Sequence, residues 1–229
     1  MLTGFVKRAG RILPGYYTVR RFVRQQRDAK EAARWEAMGR VGPPPHLVKQ
    51  RMLIEYVRAY ELRVFIETGT YYGDMVEAMT PFVERVVSIE LSRELFEASR
   101  RRFHGDPKVR LLHGDSGQQL GDVVRCLDQP ALFWLDGHFS AGETARGGRE
   151  TPIFDELAHI LPSSLPHVIA IDDARCFGSA RGYPTLDELQ HFVRARRRDL
   201  AITVDRDCIQ ITPDRPHGSE RSRSASAIV

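Results

Sequence analysis

Two rhythms of apolar residues run along the 229-residue chain. From residue 62 onward, short apolar runs alternate with stretches of helical spacing. The runs predict strands at 62–67, 85–90, 109–113, 131–136 and 167–172. Helices are expected between them, near 73–80, 92–103, 116–127 and 152–161. Val86, Val87 and Ile89, then Phe133, Trp134 and Leu135, form near-continuous apolar runs. Such runs belong to strands covered on both faces. Strand–helix alternation of this kind predicts an α/β domain with a parallel sheet and right-handed crossovers. After Asp172-Asp173 come a helix near 184–198 and two closely spaced strands, "AITV" and "CIQITP". The intervening "DRD" is a hairpin signal, so the sheet is expected to close in an antiparallel hairpin.

Ahead of residue 62 the pattern is helical. Residues 1–40 read as helix in pieces, broken at Pro14-Gly15, and "VGPPP" at 41–45 reads as a stiff linker. "HLVKQRMLIEYVRAYE" then spaces Leu47, Met52, Leu53 and Val57 for one helix face. The expected organisation is a basic helical leader with a Pro-rich linker over 1–45, one domain over 46–212, and a disordered polar tail over 213–229. At 42% hydrophobic residues the chain can bury a substantial core. No apolar stretch approaches the ~18 residues of a membrane span. No signal-peptide core is visible, and three scattered cysteines fit a reducing, cytoplasmic setting.

Charge is uneven. Residues 1–40 hold ten Lys or Arg against three Asp or Glu, leaving 24 basic and 27 acidic residues in the rest. The basic character belongs to the leader, which suits contact with a second subunit or an anionic membrane. An acidic body argues against nucleic acid as a partner.

Acids fall where the strands end. In an open α/β sheet, ligands sit beyond the carboxyl ends of the strands. The expected strands end at Glu67, Glu90, Asp115 (two residues past its run), Asp136 and Asp172. Any one of these could cap a helix; five along one edge suggest a site. Gly69 and Gly73 let the backbone approach a ligand and turn into a helix. Glu90 can accept hydrogen bonds from ribose hydroxyls, and Asp115-Ser116 can meet an adenine amino group. The GxGxxG fingerprint is absent. Glu67 would repel a pyrophosphate and suits a ligand carrying an amino or sulfonium group.

"FIETGTYYGDM" resembles motif I of the class I S-adenosylmethionine-dependent methyltransferases, in the form found in catechol-type and macrocin-type O-methyltransferases. "VVSIEL", "LLHGDS" and "FWLDGHFS" are similar to their later motifs, over about residues 60–212. The resemblance implies a Rossmann-like doubly wound sheet of seven strands in the order 3-2-1-4-5-7-6. It also implies S-adenosylmethionine as cofactor, held by Glu67, Gly69, Thr70, Gly73, Glu90, Asp115 and Ser116. The implied reaction is O-methylation of a small hydroxylated molecule such as a sugar or natural-product intermediate.

Asp136, Asp172 and Asp173 crowd the ends of strands four and five. Three anions together call for a cation, and Mg2+ with oxygen ligands is the expected one. The other reading pairs Asp173 with Arg175. A metal there would lower the pKa of an acceptor hydroxyl and position it. Where the catechol-type pattern has a lysine, three residues after the first acid, this chain has Phe139. His138 is therefore the candidate base beside Asp136. The glycine-rich loop 137–150 is the expected lid, with Arg146 and Arg149 available to grip an anion. An iron-dependent hydroxylase resembling the cephalosporin hydroxylases, and a non-catalytic binding module docked by its leader, are the competing readings.

Overall fold

The computed structural model describes residues 16–137, 151–180 and 182–213, with side chains from residue 26. His138, Phe139, Arg146, Arg149 and residues 214–229 of the tail lie outside the described residues. Seven strands form one mixed sheet in the order β3-β2-β1-β4-β5-β7-β6. They are β1 Val64–Thr68, β2 Arg85–Glu90, β3 Val109–His113, β4 Ala131–Leu135, β5 Val168–Ile171, β6 Leu200–Asp205 and β7 Cys208–Pro213. The first five are parallel; β7 runs antiparallel to both β5 and β6.

The central strands are short, β-branched and aromatic, and β1, β4 and β5 are buried at every position. Each therefore needs a covering layer on both sides. On one face, Val64, Ile66, Phe133 and Ile169 pack against α5 (Ser116–Arg125), α6 (Ile153–Ile160) and α7 (Leu186–Arg194). On the other, Phe65, Val86, Trp134 and Ala170 pack against α2 (His46–Ala59) and α3 (Asp74–Met79). Trp134 is thus core. The helix α4 (Arg93–Arg102) follows β2 and starts at Ser92, whose hydroxyl accepts from the Leu95 N–H. Thr185 and Glu188 form a reciprocal capping box at the start of α7.

Within the leader, helix α1 (Tyr16–Ala37) is the piece expected after Pro14-Gly15, and that break lies outside the described residues. Its end packs on the start of α2 through Ala32, Trp35 and Val48. The Trp35 indole N–H donates to the Gly42 carbonyl at 3.1 Å and fastens the Pro-rich linker. Among the described residues no helix is long and apolar enough to cross a membrane.

One boundary differs from expectation in a way that matters. The first strand extends through Thr68, so Glu67 lies inside it, paired in register with Ser88 and Trp134. By the two-residue alternation of a strand, its side chain leaves from the same sheet face as Phe65.

Candidate active site

The carboxyl edge of the parallel strands opens into a cavity of about 540 Å³. Gly69, Glu90, Asp115, Ser116 and Asp136 line it, together with Tyr71, Ile89, Leu91 and Leu95. Apolar walls carrying a few converging polar groups are the usual make-up of a small-molecule site.

Glu90 ends β2 and is held from both sides. The Tyr71 N–H donates to its Oε2 at 2.8 Å and the Ser92 N–H to its Oε1 at 2.9 Å. A carboxylate fixed in this way is pre-oriented, and each oxygen keeps a lone pair for a ligand hydroxyl. Asp115 caps α5: its Oδ1 accepts from the Gly117 N–H at 2.8 Å. The capping role and the cavity-lining role therefore coexist.

Gly69 and Gly73 have left-handed backbones, at φ +84° and +76°. A Cβ at Gly69 would stand 2.6 Å from the Asp136 carbonyl oxygen, and one at Gly73 would stand 2.5 Å from the Phe103 ring. Both glycines are thus required by the protein's own packing. Of these two, Gly69 lines the cavity.

Glu67 and Thr70 do not line it. Both are buried, joined by Ser88 in a chain of hydroxyls: Thr70 to Ser88 at 2.6 Å, then Ser88 to Glu67 Oε2 at 2.6 Å. Ser88 has one proton and gives it to Glu67, so Thr70 is the donor of the first link. Burial drives the Glu67 carboxyl well above its ordinary pKa, and the Ser88 hydrogen bond opposes this only in part.

The second acid group is organised by a residue absent from the sequence-based picture. Lys49, on α2, forms an ion pair with Asp172, and its Nζ is 3.9 Å from Asp173. The same ammonium lies 6.0 Å from the Trp134 ring centroid. Burial would lower the Lys49 pKa, but Asp172, Asp136 and Asp173 together raise it. Burial and the neighbouring Asp172 push Asp136 well above the usual carboxylate range, with Lys49 opposing. The Asp136–Asp172 pair therefore holds a proton to higher pH than a free aspartate does. Asp173, in a left-handed conformation, accepts from Arg175 Nη1 at 2.7 Å, and Arg175 also pairs with Asp207.

These three aspartates do not fit the Mg2+ site expected of them. Asp172 and Asp173 already face protein cations, and Asp136 hydrogen-bonds to Asp172. Among the described residues no group of three or more His, Cys, Asp or Glu side chains is arranged to hold a metal. His138, the expected base, lies outside the described residues.

Glu156, on α6, is a further acid that the sequence reading passed over. It is buried, and burial pushes it up to about 7, partly offset by the Ser116 hydroxyl. Its Oε1 and the Thr68 Oγ1 are the buried side-chain oxygens without a hydrogen bond among the described residues. Both lie beside Gly137, which lines the cavity. The spacing Ile153, Glu156, Leu157, Ile160 puts Glu156 on the apolar face of its helix, a signal visible in the sequence.

No protein-family model matches the chain, and no curated protein matches it. Solved structures do. The O-methyltransferase TomG from Streptomyces achromogenes, solved with S-adenosylmethionine, aligns at a TM-score of 0.55 and 16% identity, over 81% of this chain and 87% of that one. An O-methyltransferase from Bacillus cereus, solved with S-adenosylhomocysteine, aligns at 0.55 and 15% identity, over 80% and 89%. The methyltransferase PaMTH1 from Podospora anserina, also holding S-adenosylhomocysteine, aligns at 0.51 and 16% identity, over 89% and 99%. With its strand order and its acid-lined carboxyl edge, the chain has the fold of the class I S-adenosylmethionine-dependent methyltransferases.

Proposed function

We propose that the chain is an S-adenosylmethionine-dependent O-methyltransferase acting on a small hydroxylated molecule. The observation that carries this is Glu90: a carboxylate at the end of β2, locked by two backbone N–H groups, on a cavity wall shared with Asp115 and Ser116. That is the arrangement a ribose and an adenine need side by side. S-adenosylmethionine, where bound, supplies a methyl group carried on a sulfonium. The chain's own residues bind and orient. Leu91, Leu95 and Ile89 offer apolar contact for a base, and Glu90 holds the sugar. TomG, named as an O-methyltransferase of tomaymycin synthesis, fits an acceptor of this kind.

Asp136 is the group placed to take a proton from an acceptor hydroxyl. It lines the cavity and stands next to Asp172, and burial raises its pKa above the usual carboxylate range. His138, next but one in sequence, remains the alternative base. Assistance by Mg2+ at Asp136, Asp172 and Asp173 would require Lys49 to leave Asp172, and the arrangement favours acceptor binding without it.

Calorimetric titration with S-adenosylhomocysteine tests the reading. Binding of one molecule per chain, weakened by Glu90→Ala, is expected. Absence of binding to the folded wild-type chain would sink it. A hydroxylated-compound panel with methyl-labelled cofactor then identifies the acceptor.

A further inference from the structure

We propose that Lys49 is the resident cation of the acceptor site, its ammonium standing where a divalent metal would otherwise neutralise the acids at the ends of β4 and β5. The argument is one of charge and position. Asp172 is buried, and its side-chain partner is Lys49, which reaches it from a helix 123 residues earlier in the chain. The second acid, Asp173, is held by Arg175 at 2.7 Å, with Asp207 on the far side of that guanidinium. The third, Asp136, leans on Asp172. A magnesium ion entering here would face an ammonium at contact range, a like-charge encounter in a partly desolvated setting.

Lys49 is also available to a ligand. An ammonium carries three N–H donors. Asp172 takes one, and Asp173 at 3.9 Å lies beyond hydrogen-bond distance. The side chain remains 15% exposed. Its other donors have no partner among the described residues, and they suit an oxygen that carries or develops negative charge, as a deprotonating hydroxyl does. That acceptor role rests on the methyltransferase reading; the exclusion of a metal does not.

The two can be separated by titrating the full chain with MnCl2, following loss of the free-Mn2+ electron paramagnetic resonance signal, beside calorimetry with S-adenosylhomocysteine. Wild type is expected to leave the Mn2+ signal undiminished. Lys49→Ala, which bares the acids, is expected to bind one Mn2+ per chain, and Lys49→Ala/Asp172→Asn to lose it again. One Mn2+ bound per wild-type chain, released by Asp172→Asn, would overturn the proposal whether or not the Lys49 variant folds. So would a Lys49→Ala chain that binds S-adenosylhomocysteine normally yet takes no Mn2+. Failure of wild type to bind S-adenosylhomocysteine counts against the methyltransferase reading alone, because the Mn2+ result stands without it.

Discussion

Ser88 on β2 donates its hydroxyl proton to Glu67 on β1, at 2.6 Å, across the pairing of the two strands. This bond explains why a buried strand contains a carboxylate: Glu67 is part of a polar chain running from Thr70 through Ser88 within the sheet face. Ser88→Ala should leave both neighbours without their partner. A loss of about 1–3 kcal/mol is expected in urea unfolding. Affinity for S-adenosylhomocysteine should change little, since none of the three lines the cavity.

Glu156 should make stability depend on pH in a defined direction. Its folded pKa of about 7 lies above the unfolded value of 4.5, so the folded state holds the proton more tightly. Stability from this group is present in full below pH 4.5 and is lost as pH rises through 7. Glu156→Gln removes that loss. The variant should be more stable than wild type at pH 8, by on the order of 2 kcal/mol, and the two should converge near pH 4. Thermal unfolding across that range checks it.

Glu90→Ala should weaken S-adenosylhomocysteine binding by about 10- to 100-fold, the scale of one or two hydrogen bonds to a charged acceptor. Calorimetry gives the number directly. An unchanged affinity would place the nucleoside elsewhere in the cavity.

Gly69→Ala should be costly at a position with no large neighbour in sequence. The new Cβ would meet the Asp136 carbonyl oxygen at 2.6 Å from a φ of +84°. A destabilisation of about 2 kcal/mol or more is expected, with weaker cofactor binding because Asp136 also lines the cavity. Gly105→Ala, also left-handed but with open space around it, is the control for backbone strain alone.

The ion pair of Lys49 and Asp172 should show strong coupling. Lys49→Met strands a buried carboxylate, with an expected loss of about 3–5 kcal/mol. Adding Asp172→Asn should return much of that loss rather than deepen it. A double-mutant cycle in urea measures the coupling; simple additivity would mean the two side chains do not meet.

The alternation of apolar runs and helical spacing carried the sheet, its closing hairpin and the strand-end positions of Glu90, Asp115, Asp136 and Asp172, because each depends on residues close in sequence. Burial on both faces of β2 and β4 was legible for the same reason. The partner of Glu67 was not legible: Ser88 lies 21 residues away in sequence and meets it only through the register of β1 on β2. What only the tertiary structure decided is which charge meets which. Lys49 carried a faint local trace, spaced for the apolar face three and four residues before Met52 and Leu53. Its partner, however, stands just past the end of β5, at a place set by how α2 packs on the sheet. Helix and strand are written in local spacing, whereas the balance of a buried charge depends on every group that folding brings within a few ångströms.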